Sequence, residues 1–509
     1  MFSKINSIYL SGTDGVPVSV EADVSDGLPG FSLVGYLTSE LREAQDRVRT
    51  AIRNLGLNLL PKRVTVNLSP ADFKKDGTGF DLAIAAAVLA AYGKIPSLPL
   101  EHAVFAGELG LDGKVKGIPG ALVLADFAKK SGFSRIFLPA ENIREAAVVD
   151  GIALVETGTL RELYEMLTGS RPVLEYQREP EMLKKISFNQ YSVDFSEING
   201  QPLLRRAAEV AAAGMHNLLM IGPAGSGKTM VARRMPTIMP AMGLEESIEI
   251  SKIYSVSHLL SEKEPLITHR PFRAPHHTIS AQALSGGGAR PRPGEISLAT
   301  GGILFLDELP EMDRQALESL RQPLEEHMVT ISRVRGTYCF PARFQLVAAM
   351  NPCLCGFYPD MERCTCTPSQ RKRYLGRISR PLLDRMDICV EAAAVTYHEM
   401  LCSGENESSA AIRCRVEGAR QIQAERFRGL GIFCNGEMNG KQVRTYCVLG
   451  KEENAFMKDV FTQIQLSART YDRILKVART AADLEGAPEI GRRHLCEAVS
   501  YMQIKERYW

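Results

Sequence analysis

The chain has 509 residues, enough for about three domains at ~150 residues each. Hydrophobic residues make up 45% and charged residues 24%, which excludes a wholly disordered chain. Lys and Arg number 61 against 59 Asp and Glu, a formal charge of +2, so a histone-like polycation is excluded while a local basic patch is not.

The opening MFSKINSIYLSG lacks a charged stretch followed by an apolar core, so no signal peptide is expected. VPVSVEADV and RVTVNLSP alternate as strands, and SELREAQDRVRTAIRNLG carries helical spacing. FDLAIAAAVLAAYG reads as a buried helix. Its apolar run, Leu82 to Tyr92, is half the ~20 residues that cross a bilayer, so no membrane association is expected. AVFAGEL and RIFLPA are further strands, and ALVLADFAKKSG is a helix ending at Gly132. Residues 1–167 therefore read as one α/β domain, and the polar stretch 168–193 as a linker. A second α/β unit is expected over 194–394 and a helical region over 395–509. Of the eleven cysteines, seven are scattered, which suits a reducing cytosol rather than a disulfide framework and predicts a cytoplasmic protein.

LLMIGPAGSGKT is an apolar strand, a glycine loop and a helix start. Gly222, Pro223, Ala224, Gly225, Ser226, Gly227, Lys228 and Thr229 have the full phosphate-loop spacing. Backbone N–H groups would cradle phosphates, Lys228 would reach the β- and γ-phosphates, and Thr229 would ligate Mg²⁺. GGILFLDELPEM then ends a buried strand in Asp307 and Glu308, at the sheet edge where α/β proteins bind ligands. Asp307 suits Mg²⁺, and Glu308 suits the base that activates the attacking water. The strand FQLVAAMN ends in Asn351, which could orient that water or cap a turn.

These motifs, with RPFRAPHHTIS, GGGARPRPGEISLATGGILFLDELPE, NPCLCG and SRPLLDRMDI, resemble the magnesium-chelatase-like AAA+ ATPases of the YifB/ComM group, over essentially the whole chain. The resemblance implies an AAA+ P-loop core, a C-terminal helical lid of the magnesium-chelatase type, ATP and Mg²⁺ as cofactors, and self-assembly into a hexameric ring. It makes Asn351 the first sensor. Arg385 matches the arginine finger that reaches a neighbouring subunit's γ-phosphate; the alternative is a surface salt bridge to Asp384 or Asp387. Arg469 fits the second sensor at the start of a lid helix; the alternative is an exposed helix arginine.

VTISRVRGTYCF reads as a hairpin with Arg333 and Arg335 at its tip, and resembles the hairpin that helicase-like relatives project into the ring pore. A second glycine-rich tip carries Arg290 and Arg292. Such arginines could track DNA phosphates without reading bases, or could sit on merely solvated loops. SQRKRYLGRISR could grip the same backbone or be an ordinary subunit interface. Cys353, Cys355, Cys364 and Cys366 form two CxC pairs that suit a tetrahedral structural Zn²⁺, buried free thiols being the alternative.

ADFKKDGTGFDLAIAAAVLAA and GELGLDGKVKGIPGALVLADFAKKSGFSRIFLPAEN resemble the proteolytic domain of Lon, which implies a ribosomal S5 domain 2-like α/β fold. The serine position of that family's Ser–Lys pair falls on Gly79 and the lysine position on Leu122, so no peptidase is expected. The function that the resemblance implies is an ATP-driven DNA translocase of the branch-migration type, acting on branched or single-stranded DNA. The alternative is a protein- or complex-remodelling ATPase like the magnesium chelatase motor subunit.

Overall fold

The first strand was hidden by its own composition. Along Phe2–Ser11 (β1) the inward positions include Ser3 and Ser7, both buried, whose hydroxyls donate to the carbonyls of Ala87 at 2.6 Å and Phe105 at 2.8 Å. Small polar residues satisfied in this way erase the apolar alternation that signals a strand. The computed structural model describes residues 1–57, 59–96, 100–178, 189–261, 263–288, 291–333, 336–394, 406–464 and 466–509.

The first unit is a seven-stranded mixed sheet. β1 forms a hairpin with Asp14–Ser25 (β2), and Gly30–Val34 (β3), Arg63–Ser69 (β4), Ala103–Phe105 (β5), Arg135–Pro139 (β6) and Ala153–Thr157 (β7) complete the order β3-β4-β2-β1-β5-β6-β7. Every residue of Asp81–Ala91 (α1) is buried, because this helix is covered on all sides. Its one charge, Asp81, accepts from Arg47 at 2.8 and 3.1 Å and from the Leu109 amide at 3.2 Å. Burial pushes the Asp81 carboxyl up, and Arg47 opposes that. Arg47→Ala should strand this buried carboxylate and destabilise the unit by about 3 kcal/mol, measurable by denaturant unfolding.

Part of the expected linker belongs to this unit. The Tyr176 amide donates to the Leu154 carbonyl at 2.7 Å, and Arg178 donates to the Val149 carbonyl at 2.9 Å. Residues 179–188 lie outside the described residues.

The second unit is a five-stranded, all-parallel sheet of Leu218–Ile221 (β8), Phe272–Arg273 (β9), Ile303–Leu306 (β10), Gln345–Met350 (β11) and Ile388–Glu391 (β12), in the order β9-β10-β11-β8-β12. The C-terminal helices Ser409–Arg426, Gly440–Tyr446, Lys451–Ile464, Ala468–Leu484 and Arg492–Tyr508 share one core with this sheet, Val416, Leu475 and Leu495 packing in the same cluster as Leu218, Val347 and Ile388. No helix among the described residues is long and apolar enough to cross a membrane.

Among the described residues, the two units touch beside Lys252 and at a hairpin. Lys252 pairs with Asp126 at 2.8 Å, beside a bond from the Gly120 amide to the Ser255 carbonyl at 3.2 Å. The hairpin Met328–Arg333/Gly336–Pro341 also rests on the β1–β2 turn: the Tyr9 and Tyr338 hydroxyls lie 3.3 Å apart. Gly12, at φ +67, faces the Cys339 carbonyl so closely that a Cβ would sit 2.6 Å from its oxygen.

Candidate active site

β8 delivers the chain to the phosphate loop between β11 and β12. The Gly222 amide donates to the Met350 carbonyl at 3.1 Å, and a Cβ on Gly222 would lie 2.3 Å from the Ala392 oxygen, so only glycine passes here. Gly225 and Gly227 take left-handed backbone at φ +77 and +85, which turns the loop onto the helix that begins at Lys228.

The resulting cleft, about 360 Å³, is lined by Ala224, Gly225, Ser226, Gly227, Lys228, Thr229, Asp307, Glu308 and Asn351, among others. Lys228 is buried, its ammonium held by the carbonyls of Gly222 at 2.7 Å and Pro223 at 2.8 Å, with the Asn351 Oδ1 3.5 Å away. Burial pulls its pKa down, and the Asp307 charge partly restores it. Among the described residues no carboxylate forms an ion pair with this ammonium, which leaves it to an incoming phosphate. Thr229 donates to Asp307 Oδ2 at 2.8 Å. The two oxygens are the hard donor set that Mg²⁺ takes, alongside water and phosphate. Mg²⁺ bound there would neutralise phosphate charge; the chain's own part is to hold Thr229 and Asp307 together and to keep Lys228 against the loop.

Glu308 adopts φ +50, and its Oε2 lies 2.9 Å from Nδ1 of His277. Nothing local in RPFRAPHHTIS marks His277: the contact is made from the segment after β9. The contact orients the carboxylate through Oε2, and its other oxygen could take a proton from water.

Arg385 and Arg469 do not line this cleft. Arg385 precedes β12 and therefore lies at the N-terminal edge of the parallel strands, opposite the edge that carries the phosphate loop; four residues of strand separate the two edges by about 13 Å. Its partner is Glu325 rather than either aspartate anticipated from sequence. Asp384 pairs instead with Lys505 at 3.0 Å, and Asp387 accepts from the Asn217 amide at 3.0 Å. The Arg385 Nε is buried with no hydrogen-bond partner among the described residues. Burial lowers the Arg385 pKa, Glu325 opposes this, and Arg321, Arg469 and Arg473 add to the lowering. Arg469 thus stands in a cluster of arginines at the far edge of the sheet.

The two expected cationic tips come together. Gly287 pairs with Arg292 in a short ladder, and a Cβ on Gly287 would lie 3.3 Å from the Arg333 Nη2. Arg290 and Arg335 lie outside the described residues. Part of the basic stretch 371–380 is already engaged: Arg371 stacks over Tyr358 at 4.6 Å, and Arg377 pairs with Glu311. In the first unit Leu122 is buried at the start of its helix, and a Cβ on Gly79 would meet only Ile118 at 3.9 Å, so Gly79 is not glycine for want of space. Cys353, Cys355, Cys364 and Cys366 converge, their sulphurs within 4.8 Å of one another.

A glycine loop on a parallel sheet, with Lys228, Thr229, Asp307 and Glu308 around one cleft, defines a P-loop ATPase. Residues 194–400 match the family described as magnesium chelatase, subunit ChlI; residues 20–142 match the subunit ChlI family of Mg-chelatase, and residues 406–502 its C-terminal family. YifB of Salmonella typhimurium is 40% identical over 498 residues, 97% of this chain and 95% of its own. The competence protein ComM of Haemophilus influenzae is 41% identical over 505 residues, 97% and 96% of the two chains. Lon protease 2 of Bacillus subtilis is 29% identical over 130 residues, 25% of this chain and 23% of its own. The chain belongs to the YifB/ComM family of magnesium-chelatase-like AAA+ ATPases.

Proposed function

We propose that this protein is an ATP-hydrolysing ring motor that translocates on DNA, with ATP and Mg²⁺ at the cleft and Arg385 and Arg469 serving the cleft of the next subunit. The observation that carries the DNA reading is the convergence of two cationic tips, Arg292 beside Gly287 and Arg333 against the same glycine. Guanidinium groups on adjacent loops, outside the hydrolytic set, suit successive phosphates of a strand. The full-length similarity to a competence protein is consistent with this. The position of Arg385 and Arg469 at the far sheet edge supports service in trans, and so supports a ring of like subunits, a hexamer by family resemblance. Asn351, beside Lys228, orients the attacking water.

The N-terminal unit is a Lon-like domain of the ribosomal S5 domain 2 type without peptidase chemistry, since Gly79 and Leu122 replace the reacting pair. The C-terminal helices form the lid. The protein works in the cytoplasm.

Replacing Arg292 and Arg333 together by alanine should leave basal ATP turnover in place and lower unwinding or branch migration at least tenfold. DNA affinity of the wild type should fall steeply with salt and vary little with base sequence. Unwinding at the wild-type rate by the double variant would remove both tips from the mechanism.

A further inference from the structure

The stretch from Cys353 to Cys366 leaves the nucleotide cleft directly. β11 ends at Met350, Asn351 faces Lys228, and only Pro352 separates Asn351 from Cys353. Cys353 is fully buried, and the proline fixes one of the intervening backbone angles. The other end is equally tied. Cys366 is followed by Thr367, which caps the helix Pro368–Leu375, and Tyr374 and Leu375 of that helix pack in the same core as Ile221 and Met350.

Between these ends the sulphurs of Cys353 and Cys355 stand 3.3 Å apart, those of Cys353 and Cys364 3.8 Å, and those of Cys355 and Cys364 3.6 Å. All four cysteines are unbonded to one another. A single Zn²⁺ with Zn–S bonds of ~2.3 Å places its tetrahedral sulphurs ~3.8 Å apart, close to what these pairs show. A four-iron cluster binds its cysteines to separate irons and needs them farther apart. The Cys355 amide also points at the Cys366 sulphur at 3.4 Å, a contact that favours thiolate and orients it toward a cation.

We propose that these four cysteines hold one structural Zn²⁺ whose role is to fix Asn351 in the nucleotide cleft, so that metal loading sets the rate of ATP cleavage. The metal would tie the end of β11 to the helix after Cys366 and close the intervening loop. Without it, Asn351 keeps the Gly222–Met350 hydrogen bond on its N-terminal side but loses the tie on its C-terminal side, while the phosphate loop, built by Gly222 to Thr229, is untouched. The cysteines are positioning residues. The coupling, though not the metal itself, rests on the ATPase reading.

The test begins with metal analysis of protein purified without chelator, which should find about one zinc per chain. Cobalt substitution should give the charge-transfer absorption of a tetrathiolate site. Cys364→Ser with Cys366→Ser should lose the metal and lower kcat on the order of tenfold to a hundredfold, with little change in KM for ATP. In an Asn351→Ala background the same two substitutions should lower kcat no further. If the serine variant does not fold, zinc is stripped from wild-type protein by a chelator and returned; turnover should fall and recover. Iron in place of zinc, or four freely titrating thiols in native protein, would overturn the site. A zinc-free protein with unchanged kcat, or an additive loss in the Asn351→Ala background, would overturn the coupling. A zinc-loaded wild type without any ATP turnover would instead fail the ATPase reading.

Discussion

Glu308→Gln should bind ATP with Mg²⁺ and cleave it about 10²–10⁴ times more slowly than the wild type, whereas Lys228→Ala should lose nucleotide affinity itself. The two phenotypes differ because the residues do different work in one cleft. Lys228 lies on the loop, its ammonium held closest by the carbonyls of Gly222 and Pro223, and would pair with phosphate on binding. Glu308 lines the same cleft but faces His277, and would act only once water is to be deprotonated. Nucleotide binding by equilibrium titration and single-turnover phosphate release separate the two. Wild-type turnover in Glu308→Gln would sink the assignment of the base.

Arg385→Ala should bind ATP normally and hydrolyse it on the order of 10³ times more slowly, although Arg385 touches nothing in its own cleft. Arg385 sits before β12, at the sheet edge opposite the phosphate loop, in a group with Arg469 and Arg473 and with Glu325 as its paired carboxylate. A guanidinium there could meet a γ-phosphate only if that phosphate belonged to a second subunit. Mixing Arg385→Ala with Lys228→Ala protein should therefore restore activity at interfaces where an intact loop faces an intact arginine. No rescue in rings shown to be mixed would place the finger elsewhere.

How legible was this in the sequence? The phosphate loop was, because its chemistry needs one uninterrupted run from Gly222 to Thr229 that no other role demands. Asp307 and Glu308 followed from a buried strand ending in two carboxylates, and the hairpin at 328–341 from its alternation. The first strand was missed because Ser3 and Ser7 occupy buried positions and satisfy their hydroxyls on backbone carbonyls. The helices Gly440–Tyr446 and Lys451–Ile464 were passed over within a region read only as helical. His277 and Glu325 could not be read at all: each contact joins segments brought together only by the sheet. The cysteine spacing was visible, but the separations that match one metal ion come from the folded loop. Asp384 and Asp387, the partners that the alternative salt bridge offered, point to Lys505 and to the Asn217 amide instead, because the fold rather than sequence proximity sets these contacts.

If ATP turnover in this cleft drives movement on DNA, DNA should stimulate it. The most direct measurement is the steady-state ATPase rate of the purified protein with forked or four-way DNA, compared with the rate with an unfolded polypeptide. Branched or single-stranded DNA should stimulate the rate, less so as salt rises, and the polypeptide should not. Stimulation by unfolded protein with no response to DNA would contradict this, and would move the motor to the remodelling of proteins.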